Sequence, residues 1–275
     1  MDLISYPGRD WNEDYAYFCE DYAFVLDGAT SLVPVKYSNF STDAEWYTKT
    51  FGKYLETALS NNMKNINEII KDGIDYVTFL YKNLANGREI IDMPSACVTV
   101  VRKHNGRLEY FVLGDSGFLF KHNGKVKDFI QKRIVELDQI NIDDMARIAK
   151  EKNINVVDAR KYVQKDILKK RLTKNTEQGY WILCDDVKAC DHAYQGELDL
   201  DKGDEILIYT DGFSEIWNLF KMYSEEQIFE EINRGQTLND LYKKLYLAQE
   251  DDAGCNKFPR TKKRDDATAI YVKFW

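Results

Sequence analysis

The sequence predicts an α+β fold in which β-sheets are covered by helices, and three observations lead there. Short aromatic and β-branched runs bounded by Gly, Asn and Asp turns recur at both ends of the chain. Longer segments between them carry apolar residues at helical spacing. Of the 275 residues 44% are hydrophobic, enough for a sizeable core, and no stretch rich in Pro, Gly or Ser divides them. Residues 1–275 are therefore expected to form a single domain.

Taken in order, residues 15–19 and 22–26 read as strands, the second stopping at a turn, Asp27-Gly28. Residues 43–59 and 66–84 read as helices, the latter ended by Asn86-Gly87. A β block follows at 96–102, 108–113 and 118–121, with Gly114-Asp115 closing the second run and His122-Asn123-Gly124 forming a hairpin turn. From about 128 to 174 the chain turns charged and helical, with apolar positions Ile140, Met145, Ile148, Ile154 and Val157, as expected of a helical insertion into a β framework. Residues 180–183 and 205–209 return to strand. Helices are expected at 213–220, 225–233 and 238–248, with Ser224 and Gln227 as a capping box, and a last strand at 267–273.

Composition narrows the function. A net charge of −8 with interleaved signs gives no reason to approach nucleic acid or an anionic membrane. The basic groups at 165–171 and 260–264 read as a solvated helix face and a solvated loop. Five scattered cysteines, never spaced Cys-x-x-Cys, suit neither a disulfide framework nor a thiolate zinc site. The first residues lack the pattern of a signal peptide, and no apolar run is long enough to span a membrane. A cytoplasmic monomer is expected.

The chemistry is carried by acids. Apolar runs end at Asp27-Gly28, at Gly114-Asp115 and at Asp211-Gly212, while Asp265-Asp266 opens the final strand. Each alone suits a turn. Together, if they converge, their mutual repulsion calls for bound cations, and oxygen ligands select hard ions such as Mg²⁺ or Mn²⁺. Arg9 precedes Glu13-Asp14 by four residues and is a side chain suited to phosphate. His104, His122 and His192 do not recur at ligand spacing and read as structural, with His192 alone a candidate proton donor.

Six motifs then stand in one order: Arg9 with Asn12-Glu13-Asp14; Val25-Leu26-Asp27-Gly28-Ala29-Thr30; Ser95-Ala96-Cys97-Val98-Thr99; Leu113-Gly114-Asp115-Ser116; Gly203 through Gly212; and Arg264-Asp265-Asp266-Ala267-Thr268. The series resembles the PPM family of metal-dependent serine/threonine phosphatases, also called type 2C, in its bacterial form. The resemblance implies two antiparallel sheets in a central sandwich flanked by helices on both faces. It implies hydrolysis of phosphoserine or phosphothreonine in proteins by a hydroxide shared between two Mn²⁺ or Mg²⁺ ions. By the same resemblance Asp27 would bridge the ions, the Gly28 carbonyl would bind one of them, and Asp211 and Asp265 would hold the other. Glu13 and Asp14 would orient water, Arg9 would grip the substrate phosphate, and Asp115 would help hold a third, weaker ion. The chain departs from the pattern at Ala29-Thr30-Ser31, where relatives often have glycine or histidine, and at Asp266, where many have asparagine. The helical insertion at 128–174 falls where the family has a variable flap.

Other phosphatase chemistries fit poorly. Arg102 follows Cys97 one position too early for Cys-x5-Arg, Asp199-Leu200-Asp201 follows no buried run, and no phosphate-cradling Gly-x4-Gly-Lys loop occurs. Two alternatives stay open: a catalytically silent binding or regulatory module of the same fold, and a hydrolase of small phosphorylated metabolites.

Overall fold

A computed structural model describes every residue except Leu32, Pro34, Asn62 and Trp275. Ten strands form two five-stranded antiparallel sheets. The first sheet contains β2 (Tyr15–Phe18), β3 (Tyr22–Ala29), β4 (Ser95–His104), β5 (Arg107–Leu113) and β8 (Tyr194–Asp199), in that order. The second runs β1 (Asp2–Tyr6), β10 (Ala267–Lys273), β9 (Glu205–Tyr209), β6 (Gly117–His122) and β7 (Lys125–Phe129).

Strand periodicity explains the layering. Side chains alternate across a strand. Ala23 and Val25 of β3 therefore face inward, with Ile206, Ile208 and Ile270, into a core between the sheets. Tyr22, Phe24 and Leu26 face outward onto α1 (Asp43–Ala58) and α2 (Ile66–Ala85). On the other side Leu207 and Tyr209 pack against α5 (Asp211–Asn218), α6 (Glu225–Asn233) and α7 (Leu238–Asp251). Central strands buried on both faces account for the continuous apolar runs in the sequence. The result is helix, sheet, sheet, helix.

The insertion is a helical hairpin, α3 (Arg133–Lys152) and α4 (Val156–Arg171), with a small core of its own around Met145, Ala149, Ala159 and Val163. It begins later than the sequence suggests, because residues up to Phe129 complete β7. Ile140 is exposed and does not join that core. The α6 capping box at Ser224 and Gln227 is present, and the hairpin at Asn123-Gly124 has both residues at positive φ.

Two local expectations are corrected and one strand is added. Asp27-Gly28 is not a turn: both residues continue β3, opposite Cys97 and Ala96 of β4. Residues 180–183 form only isolated bridges, Tyr180 to Lys174 and Leu183 to Ala96, rather than a strand. The strand at Tyr194–Asp199 was not anticipated. It is an exposed edge beside β5 and so lacks the apolar signature of a buried strand.

Candidate metal centre

The acids meet where the two sheets open. Asp27 keeps the parity of Ala23 and Val25, so its carboxylate follows the inter-sheet face to the end of β3. β9 ends at Tyr209, and Asp211 begins α5 directly after it. Asp265 lies two residues before β10, whose antiparallel pairing with β9 brings the start of one strand beside the end of the other. Asp115 follows β5 and accepts a hydrogen bond from the Cys97 thiol at 2.9 Å. Asp27, Asp115, Asp211 and Asp265 all line one cavity of about 470 Å³, together with Arg9 and Gly28.

Two glycines permit this convergence. A Cβ on Gly28 would stand 2.6 Å from the Glu13 carbonyl oxygen, so only glycine lets the N-terminal segment lie against β3. Gly114 has φ +102, and a Cβ there would meet the Cys97 sulfur at 2.4 Å.

The N-terminal loop is fastened beneath the cavity by Asp266, whose carboxylate accepts the Gly8 and Glu13 backbone N–H groups, each at 2.7 Å. This role for Asp266 could not be read from the sequence. Asp14 is buried and accepts from the Thr210 hydroxyl at 3.0 Å, leaving its Oδ1 without a partner. Glu13 is likewise buried; the Thr30 hydroxyl donates to one of its oxygens, and the other, Oε1, is unpartnered. Arg9 is exposed at the rim, 5.1 Å over the Trp11 ring, with Nη2 donating to Thr30 Oγ1 at 3.4 Å.

The electrostatics are those of a crowded anion site. Burial, then repulsion from Asp211, raises the Asp27 pKa well above the carboxylate range. Burial and Asp265 do the same to Asp211, partly offset by Lys262 and by a hydrogen bond with Asp27. Asp14 rises through burial and the charge of Asp266. Burial lifts Asp115 to about 6, opposed by the Cys97 hydrogen bond. Lys262 donates to Asp265 Oδ1 at 2.5 Å. Burial disfavours its charge, but Asp265 and Asp211 more than compensate and push its pKa up.

Among the described residues no three His, Cys, Asp or Glu side chains already form a closed metal-holding set. The acids are gathered on one cavity wall, with Lys262 serving as counter-ion to Asp265. Orphaned oxygens on Glu13 and Asp14, with carboxyls forced toward protonation, are what a donor set for hard cations presents. The residues fit a divalent-metal site.

A family profile described as protein phosphatase 2C matches residues 11–246. The chain belongs to the protein phosphatase 2C family. That family's metal-dependent phosphatase chemistry accounts for a cleft lined with aspartates. Solved structures share the fold of this phosphatase at low identity. One is the Mycobacterium tuberculosis serine/threonine phosphatase PstP/Ppp, at 13% identity and TM-score 0.58, covering 99% of this chain and 97% of that one. A second is PppA of Pseudomonas aeruginosa, at 12% identity and TM-score 0.58, with 99% and 96% coverage. A third is a PstP catalytic domain in complex with two manganese ions, at 13% identity and TM-score 0.56, with 98% and 96% coverage. No curated protein matches the chain significantly.

Every sequence-predicted metal ligand of this phosphatase lines the cavity, with Glu13 and Asp14 beside it. His192 does not: it stacks on Trp181 with ring centroids 3.6 Å apart and is absent from the cavity wall. Sequence reasoning also missed cavity residues in the two basic segments. Arg171, Lys262, Lys263 and Arg264 face the site rather than solvent alone, and Arg260 is buried against Asp252 at 2.9 Å. Arg160 and Asp138 of the hairpin join them. The run of cations was visible in the sequence, but which of them turn inward depends on the path of the hairpin.

Proposed function

We propose that this protein phosphatase 2C member hydrolyses phosphoserine and phosphothreonine in proteins, acting in the cytoplasm as one catalytic domain and as a monomer. The carrying observation is that Asp27, Asp211 and Asp265, up to 238 positions apart in the chain, line one cavity with Arg9 at its rim. Asp27, the Gly28 carbonyl, Asp211 and Asp265 would hold two Mn²⁺ or Mg²⁺ ions, and Asp115 would contribute to a third, weaker one. When bound, the cations supply water of lowered pKa and neutralise charge on the phosphoryl oxygens.

The chain's own residues do the rest. Glu13 and Asp14 are held rigidly by Thr30, Thr210 and the Asp266 bridge, and their free oxygens orient water toward the phosphorus. Arg9 is braced on Trp11 and presents its guanidinium to the substrate phosphate, offsetting its negative charge as the bond to the leaving oxygen breaks. His192, stacked on Trp181 away from the cavity, does not supply the proton to the leaving group. The cytoplasmic placement is supported by five cysteines that are all free, four of them buried. No helix among the described residues is long and apolar enough to cross a membrane.

The retained acids favour hydrolysis over a silent binding module. The test is turnover of a phosphopeptide panel in Mn²⁺ and in EDTA. Release of phosphate in Mn²⁺ alone is expected, and equal rates in the two buffers, or none in either, would overturn the proposal.

A further inference from the structure

The hairpin inserted after β7 lies over the cleft. From α3 it contributes Leu137 and Asp138 to the cavity wall, and from α4 it contributes Arg160, Ile167 and Arg171. Arg160 and Arg171 are eleven positions apart, which is three helical turns with an offset of about 20°, so both lie on the same face of α4. Each is tied to the main chain on one bank of the cleft. Arg160 Nη1 donates to the Thr261 carbonyl at 3.1 Å, on the loop leading to Asp265. Arg171 Nη1 donates to the Thr30 carbonyl, just past the end of β3. α4 therefore crosses the cleft with an arginine at either end.

These arginines differ from most others in the chain. Arg102, Arg107, Arg147, Arg234 and Arg260 each pair with a carboxylate. Among the described residues Arg9, Arg88, Arg160 and Arg171 have no ion-pair partner, although the chain carries 46 acidic and 38 basic residues, and of these four all but Arg88 line the cavity. A guanidinium has five N–H donors, and the single carbonyl each α4 arginine holds leaves most of them free. Burial and then Arg171 lower the Arg160 pKa, Asp265 partly offsets them, and Arg9 lowers it further. Guanidiniums with free donors on a cavity wall are suited to a bound anion.

Of the seven cationic side chains that line the cavity, Lys262 pairs with Asp265, and Lys263 and Arg264 pair with Glu250, whereas Arg9, Arg160 and Arg171 hold no ion pair among the described residues. With Arg9 assigned to the phosphate that is removed, Arg160 and Arg171 are the lining guanidiniums left for a second anionic group. The volume of about 470 Å³ also exceeds what a lone phosphoryl group fills.

We propose that Arg160 and Arg171 form a second anion subsite in the cavity that the metal acids line, and that the preferred substrate is a phosphopeptide carrying another phosphate close to the one removed. The inference rests on the phosphatase reading and deepens it. Arg160 and Arg171 are specificity residues here, acting on the part of the substrate that does not react.

The test compares two peptides, one with a single phosphoserine and one with a second phosphoserine two residues away, and their non-hydrolysable phosphonate counterparts. Calorimetric binding of the phosphonates, in Mn²⁺ and in EDTA, is expected to favour the doubly charged peptide by about tenfold, equal to about 1.4 kcal/mol. The kcat/KM ratio for the phosphopeptides should show the same preference, mostly through KM. In Arg160→Gln/Arg171→Gln, with a thermal melt and turnover of p-nitrophenyl phosphate to check that the hairpin stays seated, both ratios should fall to near one. Equal binding by the native protein, or an undiminished preference in the double variant, overturns the subsite while leaving hydrolysis intact. No turnover of either peptide with the binding preference retained would instead sink the phosphatase reading and leave the subsite standing. Displacement of the bound phosphonate by inorganic pyrophosphate but not by phosphate would support the subsite and show that a small molecule can fill it.

Discussion

Replacing Asp115 with asparagine should stabilise this protein in chelating buffer. Asp115 is 7% exposed, and burial holds its carboxyl near 6 instead of the ordinary 3.8. That rise corresponds to roughly 3 kcal/mol against the charged form, at about 1.4 kcal/mol per pH unit. The sign follows from the raised value. The folded protein binds the proton more tightly than the unfolded chain, so the carboxyl favours folding fully below 3.8, and this contribution is lost as pH rises through about 6. Asparagine keeps an oxygen for the Cys97 thiol and carries no charge at any pH. At pH 8 in EDTA the variant should melt roughly 6–12 °C above the native protein, taking about 2–4 °C per kcal/mol for a chain of this size. The gap should close as pH falls from 6 toward 4. Thermal melts across pH 4–8 in EDTA measure this directly. An equal or lower melting temperature at pH 8, or a gap that does not change with pH, would refute the burial argument.

Two further outcomes are expected. Arg9→Ala should raise KM for phosphomonoesters by about tenfold with a smaller effect on kcat, since a charge-assisted contact to the phosphate is removed; initial-rate kinetics decide it, and an unchanged KM takes Arg9 out of the phosphate site. Gly28→Ala should cost roughly 1–3 kcal/mol in urea unfolding, because the new methyl meets the Glu13 carbonyl at 2.6 Å and must push the N-terminal loop away; a cost near zero would mean the loop yields freely.

Much of the layout was legible because strand parity and helix periodicity are set by which faces are buried. α6 and β10 match their sequence-predicted bounds, and α1 and α2 differ from theirs by one residue. Errors fall where that rule is silent. β8 is solvent-exposed along most of its length, so no apolar alternation marks it. Asp27-Gly28 has the composition of a turn, and only the register with Cys97 and Ala96 reveals it as strand. The site acids were legible as a set because each lies at or near a strand end. Their supports were not: the Asp266 bridge to Gly8 and Glu13 spans more than 250 positions, and nothing local announces it. The α4 arginines were hidden for a related reason. The basic residues at 165–171 include Lys165 and Lys169, which are exposed, and the inward turn of Arg171 is a tertiary fact.

The gathering of distant carboxylates is meaningful only if they hold cations as a pair. Calorimetric titration of Mn²⁺ into the native protein, Asp27→Asn and Asp211→Asn addresses that most directly. Two ions per native chain are expected, with no measurable pair in either variant while both remain folded. Binding of fewer than two ions by the native protein, or unchanged binding by the variants, would contradict it.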